Sequence, residues 1–387
     1  MGRLVIAATI LALSIYSGIS YAEKLVIADG GETFLPENSL PDLLSTISDG
    51  VTHIQVELVM TADDQVVALS DVILNTITDV AHVFPERVRD DGNFYAVDFT
   101  YDELQTLRLK PQSARPLETT AVRYPLPHFH IPSLADILGL LRIMEAEGSI
   151  SVTLVAEIKK SWFHQQEGKD TSRATIEILD RFGFTAPKDE LFIASYDPEE
   201  LQRIHDTLFP TTGIKTKLLQ LIGSNDGRET LRLERGRWIS YNYDWMATKF
   251  GLKAVSAYAD AIGLPPETFV DETGSAKQPH YLEDARLLGL QIFVYPIDHL
   301  LQELVGYADT AEELVNHFLF SLDLDGLLTS RTNLFRTVLA NRSKEQVSTD
   351  DQAQSIEQLI ENMQNFGKQA DNPLQKLIPY NPSPITN

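Results

Sequence analysis

Cysteine is missing from all 387 residues, so neither a disulfide framework nor a lipid-bearing cysteine anchors this chain. Basic residues are scarce: 32 Lys and Arg stand against 55 Asp and Glu, a formal charge of −23. A surface of that sign repels nucleic acid and anionic lipid at long range, which excludes both as general partners, though a local pocket could still take one small anion. No apolar run beyond the first residues is long enough to span a bilayer. The spacing of a phosphate fingerprint is missing too, because the pair Gly30-Gly31 matches neither the dinucleotide nor the nucleotide pattern. Stability must come from the core, and 43% hydrophobic residues in a chain this long can supply one.

What is present begins with an address. Arg3, the apolar residues 4–16 and the small residues ending at Ser20-Tyr21-Ala22 match a secretory signal cleaved before Glu23. Its removal takes away one basic residue and no acid, so the mature chain is expected to be periplasmic or secreted and still more negative.

The segment Leu25-Val26-Ile27-Ala28 reads as a short buried strand, and Asp29-Gly30-Gly31 begins a loop leading to a helix capped by Ser39. On that helix Leu40, Leu43, Leu44 and Ile47 share one face. Residues 53–60 alternate, which puts Gln55 and Glu57 on one side of a strand and Ile54, Val56 and Leu58 on the other. A turn and a short strand over 66–69 follow. From 72 to 132, prolines and Asp90-Asp91-Gly92 break the pattern, as expected of an inserted subdomain or long loop region. Strand-like runs then recur at 152–156, 191–194, 218–222, 261–264, 290–294 and 326–328, mostly separated by helical stretches. With the first two strands this makes about eight βα units, the number that closes a (β/α)₈ TIM barrel. Active sites of such barrels lie at the C-terminal strand ends, which singles out Asp29, Glu57, Glu157, Ser195 and Thr329. The barrel should occupy 23–342, followed by a polar tail over 343–387. There Ile356, Leu359, Ile360, Met363 and Phe366 form one amphipathic helix, which reads as packing on the barrel exterior or binding a partner.

Several long stretches resemble the periplasmic glycerophosphodiester phosphodiesterases. They are residues 25–38 and 54–71, Thr78-Asp79-Val80-Ala81, Phe84-Pro85, Asp91-Gly92, residues 95–100, Glu157-Ile158-Lys159, residues 162–170 and residues 241–246; the similarity runs from about 24 to 339. The resemblance implies a TIM barrel with a small insertion after its second strand. It also implies hydrolysis of glycerophosphodiesters to glycerol 3-phosphate and an alcohol, with a divalent cation, often calcium.

This chain departs from that pattern where the chemistry resides. The family's first loop reads His-Arg-Gly, but here it reads Asp29-Gly30-Gly31. Its Glu-x-Asp metal pair matches Gln55 and Glu57, and its second histidine falls at Ser70, beside Asp71. Its His-Pro on the seventh strand becomes Tyr295-Pro296, and its Thr-Asp near the eighth becomes Thr329-Ser330. Glu37, Asn38, Glu157 and Lys159 survive. By resemblance Glu37, Asn38 and Lys159 are ligand-binding positions, and Glu57, Glu157, Gln55 and Asp29 are candidate metal ligands, a mixed oxygen set that calcium accepts. His164 survives as well and reads as a structural or rim residue.

Positioned acid/base groups each contribute roughly 10²–10⁴-fold, so losing two histidines removes most of the chemical enhancement. The reading is of a catalytically impaired or inactive family member that binds a cation, or a small phosphodiester or other polar ligand. Two others stand beside it: a metal-dependent hydrolase of glycerophosphodiesters or another phosphodiester, and an interaction protein using the C-terminal helix.

Overall fold

A computed structural model describes residues 24–30, 35–110, 128–148, 151–184, 191–295, 297 and 307–341. The expected signal segment, Gly31 of the first loop, Pro296 and the tail helix at 356–366 lie outside the described residues. The chain divides into a compact unit Met1–Phe335 and a second, Arg336–Asn387. No helix among the described residues is long and apolar enough to cross a membrane.

The strands in chain order are β1 (Leu25–Ala28), β2 (His53–Met60), β3 (Val66–Ala68), β4 (Thr153–Ile158), β5 (Phe192–Ser195), β6 (Lys217–Leu221), β7 (Leu231–Glu234), β8 (Arg237–Ser240), β9 (Ala261–Leu264), β10 (Gln291–Val294) and β11 (Gly326–Thr329). Eight of them run parallel in the spatial order β1-β11-β10-β9-β6-β5-β4-β2, and β2 returns to pair with β1, closing a barrel. These are the eight runs read from the sequence. The run at 66–69 is instead an antiparallel return along β2, outside the ring. At the closure Gly326 lies so near β1 that a Cβ would stand 2.4 Å from the Leu25 carbonyl oxygen, which is why a side chain is excluded there.

Helices cover the ring: α1 (Leu40–Ser48), α2 (Leu134–Ala146), α3 (Ser161–Gln166), α4 (Thr171–Arg181), α5 (Pro198–Arg203), α6 (Lys249–Val255), α7 (Pro279–Leu287) and α8 (Ala311–Asn316). Ser39 caps α1 by accepting from the Asp42 amide, and Ser133 forms a capping box with Asp136 at the start of α2. The face expected of α1 needs one correction. Leu43 and Ile47 are buried, but Leu44 is exposed and Asp42 is buried in the first turn, where helix amides favour a carboxylate.

Two apolar clusters stand out among the described residues. One fills the barrel: Ile27, Val155, Phe192, Leu219, Phe293 and Leu328 leave no pore, and Tyr196 and Tyr295 pack on this plug. The other belongs to the insertion after β2, whose Leu74, Val80, Phe94, Phe99, Leu104 and Leu107 pack with Val59, Val67 and Phe163. The described part of that irregular sequence thus contributes an apolar cluster, with Arg87 lying 4.6 Å over the Phe99 ring. Truncating the fully buried Phe99 to alanine should lower stability by about 3–5 kcal/mol in urea unfolding.

Candidate functional site

The site begins with a register. Glu57 of β2 lies directly opposite Glu157 of β4 in the parallel ladder, near the C-terminal ends of both strands. Both side chains turn inward, because Ile54, Val56 and Leu58 of β2 take the outward positions beneath the helices. Two carboxylates are thus forced side by side in a nearly dry layer above the apolar plug.

Lys159 answers that charge. Its ammonium donates to Glu57 Oε1 at 3.0 Å and stands 3.2 Å from Glu157 Oε1 and 3.7 Å from Glu229 Oε2. Burial alone would lower its pKa, but the three glutamates outweigh that and hold it well above the usual lysine range. The amides complete the arrangement. Asn38, in a left-handed backbone at φ 61°, donates to Glu57 Oε2 at 3.1 Å and accepts from the Glu57 amide. Gln55 donates to Glu157 Oε2 at 2.6 Å, while its own Oε1 is buried without a hydrogen-bond partner.

Asp29 and Glu37 add more negative charge from the first loop. Burial, then Glu57, Glu157 and Glu37, push the Asp29 carboxyl well above its ordinary range, with Lys159 opposing. Burial and the charges of Glu57 and Asp42 raise Glu37 to about 7. Burial likewise raises Glu157 to about 7, Glu57 and Glu229 adding to it against the pull of Lys159. Gly30 is left-handed at φ 71°, and a Cβ there would meet Glu37 Cγ at 3.1 Å. Glu37 therefore leans over the glycine. Above the plug Tyr196 and Tyr295 stand with ring centroids 6.4 Å apart, and burial drives both phenols well above their usual pKa.

The structure thus gathers Asp29, Glu37, Asn38, Gln55, Glu57, Glu157 and Lys159 into one cage. Ser70 stands half-buried beside Asp71, whose carboxylate accepts from Lys160 at 2.8 Å. Ser195 donates to the Ile158 carbonyl and accepts from the Asp197 amide, so its hydroxyl shapes a strand end. Thr329 Oγ1 accepts from the Arg331 amide in a similar local turn. His164 is a structural residue: its Nε2 accepts from the Met60 amide at 3.0 Å, and burial pulls its pKa to about 4. Glu229 and Tyr196 were missed by the sequence reading. Glu229 lies in an irregular loop with no periodic signal, and Tyr196 stands one residue beyond the inspected strand end.

The family profile described as "Glycerophosphoryl diester phosphodiesterase family" matches residues 30–334. The chain belongs to that family. It is 34% identical over 250 residues to a glycerophosphodiester phosphodiesterase of Treponema pallidum, covering 62% of this chain and 70% of that protein. The Haemophilus influenzae glycerophosphodiester phosphodiesterase is 34% identical over the same length, covering 62% and 69%. Two solved structures share the fold. An Oleispira antarctica phosphodiesterase in complex with the product sn-glycerol-3-phosphate aligns with TM-score 0.53 at 14% identity, over 83% of this chain and 98% of that one. A glycerophosphodiester phosphodiesterase from Parabacteroides distasonis aligns with TM-score 0.51 at 15% identity, over 82% and 98%.

For this family member the fit to a divalent cation can be tested directly. The donors are hard oxygens of the kind calcium takes. Lys159 and Asn38 engage both oxygens of Glu57 and Gln55 engages Glu157 Oε2, whereas Gln55 Oε1 and Glu157 Oε1 have no hydrogen-bond partner; among the described residues no group of three His, Asp or Glu side chains is placed to hold an ion. In this arrangement the Lys159 ammonium stands where an ion between Glu57 and Glu157 would sit. What the cage offers chemically is one buried ammonium and carboxyls that exchange protons near neutrality.

That has a consequence for stability. A carboxyl whose folded pKa is raised binds its proton more tightly in the native state, so its contribution is complete below the unfolded value and disappears as pH rises through the folded one. For Glu37 this window runs from 4.5 to about 7. Thermal unfolding midpoints should fall across it, and Glu37→Gln should remove part of the fall, on the order of 1–3 kcal/mol. An unchanged pH profile in that variant would count against a raised Glu37.

Proposed function

We propose that this barrel is a catalytically impaired member of the glycerophosphodiester phosphodiesterase family whose mouth serves as a polar binding pocket. The observation that carries the reading is that the two positions matching the family's catalytic histidines hold Asp29 and Ser70, while the Lys159 ammonium is lodged between Glu57 and Glu157. The changed first loop supports it. Asp29 stands at a catalytic histidine position, and Gly30 at the phosphate-binding arginine position lies beneath Glu37. An acidic mouth repels a phosphodiester anion, and a single lysine already paired with carboxylates offsets little of that. The ligand this mouth suits best is therefore small, polar and not strongly anionic. The N-terminal segment places the mature chain in the periplasm or outside the cell within this reading.

A second reading has one observation in its favour. Glu37 and Glu157 both titrate at about 7, a suitable range for a general acid or base. Under it, an altered phosphodiester hydrolase would use these carboxyls in place of imidazole.

Turnover separates the two. The mature protein, incubated with glycerophosphocholine and calcium, should release no glycerol 3-phosphate above a metal-only blank. Robust release that disappears in Glu157→Ala would overturn the binding reading and favour the hydrolase. Lys159 supplies another test. Calcium should not raise the melting temperature of the parent, whereas in Lys159→Met, which frees Glu57 and Glu157, calcium should stabilise measurably. Tight calcium binding by the parent would refute the proposed role of Lys159.

A further inference from the structure

A cavity of about 700 Å³ lies beside the barrel mouth, outside the carboxylate cage. Its walls come from α3, α5 and the β7–β8 hairpin, each of which follows the C-terminal end of a barrel strand. The hairpin stands apart from the barrel sheet as its own two-stranded ribbon. Its turn is tight: Arg235 and Gly236 both have positive φ, 50° and 77°, as a two-residue type I′ connection requires. In the ribbon's register Leu233 faces Trp238, and the two share one side. They are 56% and 42% exposed, which is unusual for side chains this large with no core to enter.

One wall of the cavity is aromatic. Trp238 packs against Trp162 of α3 with ring centroids 5.5 Å apart. Trp162 is fixed by its Nε1–H, which donates to the Glu229 carbonyl, and Tyr241 is held by the Trp245 indole at 3.1 Å. The wall is thus built before any ligand arrives. The rest of the lining is polar and carries both signs: Gln166, Glu199, Arg232, which stands 3.7 Å from Glu234, and Arg203, which is locked onto Glu200 and Asp170.

This combination discriminates among ligand chemistries. An anion is disfavoured, since Asp197, Glu199 and Glu200 line the cavity and Arg203 is already committed. A quaternary ammonium ion is held best when several ring faces surround it, but Trp162 and Trp238 pack on each other with their planes tilted by 41°, which gives a bent wall on one side and not a cage. A hydrocarbon chain would strand the charged wall unpaired. What remains is a flat, neutral molecule with one apolar face and a rim of hydroxyls. We infer that this cavity is a saccharide-binding site, in which a sugar ring stacks its C–H face on Trp238, with the tilted Trp162 flanking it, and its hydroxyls bond to Gln166 and Glu199. The volume lies within the range of small-molecule sites and accommodates one or two sugar residues. This inference does not depend on whether the barrel hydrolyses anything.

The test titrates the mature full chain with cellobiose, maltose, lactose and di-N-acetylchitobiose, with choline chloride and sodium phosphate in parallel, by calorimetry and tryptophan fluorescence. At least one disaccharide should saturate with Kd about 1 mM or tighter. Trp238→Ala should weaken that binding about tenfold or more, and Trp238→Phe by less. Because Trp238 is half-exposed on the hairpin, its removal should leave the melting temperature close to that of the parent, which separates lost binding from lost fold. The inference is overturned if no disaccharide saturates, if binding survives Trp238→Ala undiminished, or if choline or phosphate saturates the site and the sugars do not.

Discussion

A single ammonium between two carboxylates governs the mouth of this barrel. Closing the ring puts Glu57 and Glu157 on neighbouring strands at the same level, and neither can turn away because the opposite strand faces are sealed by the helix layer. Two adjacent buried carboxylates are tolerable only if they gain a cation, share a proton or pair with donors. All three occur here. Lys159 supplies the cation, Glu157 shifts toward protonation near neutrality, and Asn38 and Gln55 supply the donors. The left-handed backbone at Asn38 follows from the same demand, since the side chain must reach both the carboxylate and the amide of Glu57.

The rest of the mouth follows from that arrangement. With one positive charge among Asp29, Glu37, Glu57, Glu157 and Glu229, the field is negative toward the opening. Tyr196 and Tyr295 stay neutral in this setting and continue the barrel plug upward as an aromatic wall. The neighbouring cavity at the β7–β8 hairpin has the opposite character, a prebuilt indole surface with polar groups of both signs. The barrel therefore presents two different environments on the same end: one electrostatically demanding and tightly filled, the other open.

Much of this was legible in advance, for reasons that particular residues make plain. The eight barrel strands read as short apolar runs because each is buried on both faces, and Gln55 and Glu57 stood out because alternation exposes a polar pair on an otherwise apolar strand. The first loop drew attention because Asp29-Gly30 follows the first buried strand and leads into the helix capped by Ser39. Other features left no such trace. The β7–β8 hairpin is short and mostly exposed, so its periodicity is slight. Glu229 and Tyr196 reach the mouth from loop positions whose direction depends on the turn that carries them. Leu44 is exposed where the spacing placed it on the buried face, because the α1 face is set by what it packs against, and helical spacing alone does not specify the rotation.

By itself the sequence determined the barrel and the family, because these depend on periodicity and on long stretches of shared residues. Only the tertiary structure decided what occupies the space between Glu57 and Glu157. That outcome depends on the reach of Lys159 from the end of β4 and on the amides of Asn38 and Gln55, residues separated by up to about 120 positions in the chain and joined only when the ring closes. The pairing of Trp162 with Trp238 is of the same kind. A contact between side chains on separate strands and loops is fixed by the geometry of closure, and no local pattern encodes it.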